Sequence, residues 1–306
     1  MSVSWRQKSF ISLALMPGEM RFRMFLRSAA NGRTVSSETL QIAIGTLHLF
    51  RESMDPAILA AAYDKTQDPV LLRLLSQEDV PAAQWIVTDK FKAGGYTPGF
   101  ESDAGMLALN DPTMIALLKK SAENPDMNVR LGANWALYRA TSNQAYLDFV
   151  ISVANEGAGL GPKTGSLSPW TGLDALQYLE VIDSPVAARA LRDIADAGKK
   201  APNSEMFAGA FASLFFVQRD YDYVDQTLLS FMHGELDGHN IDGNMMFEIA
   251  AARNTPELAA AAQARSQDAY ERNFIRMRGY AVENIAIRYM TTAIPKDVLA
   301  RLPRRP

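Results

Sequence analysis

A chain of 306 residues, 48% hydrophobic, is long enough to bury a large core and too apolar to be disordered. It contains no cysteine, which excludes disulfides, thiolate metal sites and cysteine nucleophiles. The net charge of −3 conceals an uneven layout: residues 1–33 carry +5, residues 265–306 carry +5, and the stretch between carries −13. Basic ends on an acidic centre argue against nucleic acid lying along the whole chain, and they allow self-association through end-to-centre contact.

Taken in chain order, the sequence predicts helices almost throughout. Phe10 to Met16 is apolar, but Pro17-Gly18-Glu19 follows instead of a small-residue cleavage site, so the stretch reads as structure and a cytoplasmic location is expected. Residues 1–35 are expected to form a basic N-terminal capping segment of a single domain over 1–306, whose last residues, 303–306, fray. Leu40, Ile44, Leu47 and Phe50 recur at helical spacing behind Ser36-Ser37-Glu38. Asp55-Pro56 and Asp68-Pro69 then open helices thirteen residues apart. An Asp accepts from the first free N–H groups of a helix, and Pro fits the first turn, where its missing N–H is no loss. Ala82 to Phe91 is an apolar-faced segment around Trp85, and Gly94-Gly95 and Pro98-Gly99 mark 93–105 as a loop.

The same punctuation returns at Asp111-Pro112 and Asn124-Pro125, again thirteen residues apart. Helical pattern continues over Met114–Leu118, Val129–Tyr138 and Tyr146–Val153, then stops in a Gly- and Ser-rich loop, 157–172. It resumes over Leu173–Ile182, Val186–Ala197, Met206–Gln218 and Tyr223–Phe231, with Phe211, Phe215, Phe216, Tyr221 and Tyr223 expected in the core. After a polar stretch, 233–244, the last helices are Met245–Ala252, Pro256–Arg265, Ala269–Met290 and Lys296–Leu302. No apolar run reaches the roughly 20 residues of a membrane span.

The segment Asn124-Pro125-Asp126-Met127-Asn128-Val129-Arg130-Leu131-Gly132-Ala133-Asn134-Trp135-Ala136-Leu137 resembles the second half of a HEAT repeat. Asp183-Ser184-Pro185 through Leu191 echoes it. The resemblance implies an all-α fold, stacked antiparallel helical hairpins forming a HEAT-like α-α superhelix of the armadillo type. At about 40–47 residues each, about six hairpins fit the chain. It also implies that Asp126 and Arg130 form a ladder between neighbouring repeats, and that Trp135, where such repeats carry a small residue, fills a wider gap. The function expected of such an array is a scaffold that binds a protein or peptide on its concave face, without catalysis and without a cofactor.

Four other features bear on chemistry. Gly157 to Gly165 looks like a phosphate loop, but Pro162 stands where Gly must precede the Lys, so nucleotide binding is not expected. His233, Glu235, Asp237, His239 and Asp242 offer imidazole and carboxylate ligands for a divalent metal, at a spacing that fits neither a helical His pair nor an EF-hand. Trp170 and Asp174 stand four residues apart, an arrangement similar to that of HEAT-like alkylpurine DNA glycosylases, which forms the enzymatic alternative. Arg265, Arg272 and Arg276 line one face of the C-terminal segment and, with Trp170 and Asp174, are the candidate partner-binding residues.

Overall fold

The structure is a computed structural model; it describes residues 55–67, 71–72, 75–76, 80–93, 100–161, 167–200, 204–236, 243–253 and 255–265. The basic N-terminal segment, Asp68-Pro69, Asp237, His239, Asp242, Arg272, Arg276 and the tail 303–306 lie outside the described residues. Among the described residues there are twelve helices and no strand. No helix among them is long and apolar enough to cross a membrane. They divide into two compact units, residues 1–109 and 110–306.

In the first unit, α1 (Pro56–Thr66) packs on α2 (Val80–Lys92), and α2 packs on α3 (Phe100–Leu107). Asp55 caps α1 as its sequence requires, accepting from Ala57 N–H at 3.0 Å with Pro56 in the first turn. Leu59, Leu71, Leu72, Leu75, Ala83 and Ala104 are core residues, each leucine worth about 1.5–3 kcal/mol on burial. Helix α3 corrects the loop expected over 93–105. Glu101 and Asp103 favour its positive end, and Ala104 and Leu107 anchor it, so local charge and burial outweigh the neighbouring glycines.

The second unit runs α4 (Pro112–Ser121), α5 (Met127–Thr141), α6 (Gln144–Gly157), α7 (Pro169–Glu180), α8 (Pro185–Gly198), α9 (Ser204–Phe216), α10 (Tyr221–Met232), α11 (Gly243–Arg253) and α12 (Pro256–Arg265). Caps punctuate it: Asp111, Asp126, Asn143, Ser168 and Ser184 each accept a backbone N–H of the helix they precede. One helix start differs from the sequence reading. Asn124 does not cap α5; it accepts from Asp126 N–H at 2.9 Å, a tight turn that leaves Asp126 extended and free to cap Asn128 N–H at 2.8 Å.

Each of these helices packs chiefly on the next one or two along the chain. Successive helices α6 and α7 touch end to start, as do α8 and α9. Next neighbours run parallel. Asn128 accepts from Thr171 Oγ1 at 3.0 Å near the starts of α5 and α7, and seven residues further along both helices Trp135 stacks on Tyr178, centroids 4.4 Å apart. Leu176 and Glu180 of α7 meet Gly209 of α9 in the same sense. Arg192, Asp196 and Lys199 of α8 pair in order with Asp220, Tyr223 and Thr227 at α10.

Candidate functional site

The close approach of α6 and α7 depends on two glycines. A Cβ on Gly172 would lie 2.6 Å from the Gly157 Cα, and one on Gly157 would lie equally near Gly172. Backbone meets backbone there, so neither side can yield. This crossing brings the end of α6 and the start of α7 to one place, and the Asn128–Thr171 hydrogen bond adds the start of α5. Asp126, Glu156, Leu160, Trp170 and Asp174 therefore share one end of the stack. Trp170 is 71% exposed even though its own backbone N–H is fixed by Ser168 at 3.1 Å. Leu160 is exposed as well. Asp174 follows Trp170 by one helical turn, on the same face. Partial burial raises its pKa, and no cation or donor pairs with it among the described residues.

Further along α7 lies a second acid that sequence reasoning missed. Glu180 is 5% exposed, and burial pushes its carboxyl pKa up to about 8. Its carboxyl fills the space left by the absent side chain of Gly209: a Cβ there would come 2.4 Å from Oε1. Six residues at ~100° each separate Glu180 from Asp174, so the two acids point to different sides of α7 and do not form a dyad. Two polar atoms in this part of the stack, the Trp135 indole N–H and the Asn155 Oδ1, are buried with no hydrogen-bond partner among the described residues. Trp135 does fill the gap its size implied, stacked within 9° of the Tyr178 plane.

The ladder expected of Asp126 and Arg130 has its counterpart elsewhere. Asp126 is spent on its cap, and Arg130 lies over the Phe149 ring at 5.2 Å. Interhelical charges pair at Arg192 with Asp220, and at Arg253 with Asp225 through two hydrogen bonds of 2.7 Å. Lys199 pairs with Asp196 at 2.8 Å and bonds Thr227. Burial pushes the Asp196 pKa up, but hydrogen bonds from Lys199 and Tyr223 bring it below the usual carboxylate range. Burial raises the Tyr223 hydroxyl, and its bond to Asp196 raises it further.

Phe211 and Phe216 lie in the core as expected, whereas Tyr221 and Tyr223 do not: they carry the cations of Arg253, Arg192 and Lys199 on their faces. Arg265 lies over Phe231 at 4.4 Å, an internal use of a residue expected to face a partner. His233 and Glu235 are exposed at the end of α10, and no three metal-ligating side chains come together among the described residues.

No family model matches the chain, and neither a curated protein nor a solved structure matches it.

Proposed function

We propose that the chain is a non-catalytic interaction scaffold of stacked, HEAT-like helical hairpins that binds a protein or peptide segment at the start of α7. The observation that carries this is Trp170: a large aromatic left 71% exposed beside the glycine-to-glycine crossing of α6 and α7. Burying such a residue against a partner supplies much of the energy of a typical interface, and a rigid platform lowers the ordering cost. Leu160 extends the apolar contact. The parallel order of next-neighbour helices supports a repeat array of the HEAT kind.

Asp174, one helical turn from Trp170 and within the acidic middle of the chain, favours a basic partner over a nucleic-acid backbone. That weighs against the glycosylase-like alternative, as does the exposure of both Trp170 and Asp174. The test is selection from a random peptide library on the full chain. Enriched peptides should bind the wild type and lose at least about tenfold in affinity to Trp170→Ala, the loss of a typical hot spot. Peptides that bind Trp170→Ala equally well would remove this surface from the reading.

A further inference from the structure

One local arrangement occurs three times in the described residues. An aromatic ring stands at one position, an oxygen acceptor four residues on, and a cation from a neighbouring helix lies over the ring and bonds the oxygen. Lys90 sits 4.4 Å from the Tyr63 centroid and donates to Tyr63 Oη and Gln67 Oε1. Lys199 sits 4.6 Å from the Tyr223 centroid and donates to Thr227 Oγ1 at 3.1 Å. Arg253 sits 4.0 Å from the Tyr221 centroid and makes two 2.7 Å bonds to Asp225. Positions four apart face the same way on a helix, so ring and oxygen together form a shelf for one cation.

Trp170 and Asp174 have this spacing on α7, as do Trp85 and Asp89 on α2, and all four are exposed. Neither pair holds a cation among the described residues. The three occupied shelves also divide by chemistry. Where the oxygen is neutral, Gln67 or Thr227, the cation is a lysine; where it is a carboxylate, Asp225, the cation is an arginine. A guanidinium is planar and presents paired donors, so it can stack on a ring and fork onto a carboxylate at once. The indole of Trp is the strongest of the aromatic faces for a cation.

We infer that Trp170 and Asp174 form a receptor for an arginine side chain of a partner protein, the guanidinium lying over the indole and pairing with the carboxylate. This rests on the scaffold reading and names the chemistry of its partner. The acidic middle of the chain, residues 34–264, complements the same charge.

The test uses the full chain labelled at its tryptophan indoles, which number four and are assigned by substitution. N-acetyl-arginine amide is titrated, then N-acetyl-citrulline amide, which keeps the shape and lacks the charge. The arginine probe should move the Trp170 indole resonance saturably and leave that of the buried Trp135 still; the citrulline probe should not move Trp170. Asp174→Asn should weaken arginine binding at least about threefold, Trp170→Tyr should retain it, and Trp170→Leu should lose it. No saturable shift, an equal shift with citrulline, or an unchanged affinity in Asp174→Asn would overturn the inference.

The outcome separates from that of the scaffold reading. Library peptides that depend on Trp170 yet keep their affinity when each arginine becomes citrulline would sink the arginine receptor and leave the scaffold. A saturable arginine shift without any Trp170-dependent peptide would support the receptor and remove the scaffold.

Discussion

Helices α7 and α10 belong to the same stack and carry similar side chains, but they use them in opposite ways. Helix α10 and its cap offer Asp220, Tyr221, Tyr223, Asp225 and Thr227, and each meets a side chain from α8 or α11. Helix α7 offers Trp170, Asp174, Tyr178 and Glu180, and only Tyr178 has its ring engaged, by Trp135. The polar chemistry of α10 is spent on joining helices. That of α7 is used differently: Asp174 meets no side-chain partner among the described residues, and Glu180 lies buried against Gly209. Half-buried, two-pronged pairs such as Arg253–Asp225 contribute more to stability than surface pairs do, so the two helices should respond differently to the same perturbation.

The largest difference is expected in pH dependence. Glu180 has a folded pKa of about 8 against an ordinary 4.5, so the folded chain holds its proton at pH values where the unfolded chain has lost it. Stability then falls as pH rises from about 4.5 to about 8, by at most about 1.4 kcal/mol per pH unit from this group. Asp196, which faces α10, has a lowered pKa and the opposite sign: its contribution is present above the ordinary carboxylate value and lost as pH falls through the lowered one. Urea unfolding measured across pH 4 to 9 on wild type and Glu180→Gln checks this. The variant should lose the alkaline slope and be the more stable of the two at pH 9. An unchanged slope would mean that Glu180 is not the group that titrates.

The next effect concerns the crossing beneath Trp170. Replacing a mid-helix glycine by alanine gains about 1 kcal/mol in propensity. At Gly172 the new Cβ would lie 2.6 Å from Gly157 Cα, so Gly172→Ala should instead lose about 2 kcal/mol in denaturant unfolding. Gly243→Ala, at the start of α11, meets nothing nearer than Phe231 Cζ at 3.7 Å and should cost nothing. Equal effects at the two sites would show that the α6–α7 contact is looser than its geometry.

Much of the helical punctuation was legible in the sequence, because Asp-Pro steps act locally: Asp55 and Asp111 cap the helices their residues announce. Helix α3 was not legible, since the glycines around it outweigh its short apolar pattern on composition alone. The interhelical pairs were hidden for a different reason. Linked residues on α5 and α7 are 43 apart, those on α7 and α9 are 33, and those on α8 and α10 are 28. The spacing of linked residues shortens along the chain, so no single fixed period of about 40–47 residues brings these pairs into register. The shelf of ring and oxygen has a sequence trace: an aromatic residue with an Asp four residues on occurs at Trp85, Trp170, Phe216 and Tyr221, but only the geometry around Arg253 gives the pattern a meaning.

The smallest expected effects are the most pointed. Asp225→Asn and Asp174→Asn remove the same charge from the same position relative to an aromatic residue. Asp225→Asn leaves the half-buried Arg253 guanidinium with a poorer partner and should cost about 1–2 kcal/mol in unfolding free energy. Asp174→Asn leaves nothing behind, because no cation among the described residues depends on it, and burial already opposes its charge. Its effect on stability should stay within about 0.5 kcal/mol and tend to stabilise, most visibly on the alkaline side of its raised pKa, where the carboxylate is ionised. A cost at Asp174 comparable to that at Asp225 would mean that the Asp174 carboxylate serves the fold. A neutral result, together with a loss of arginine binding, would mean that the fold tolerates the charge and the partner uses it.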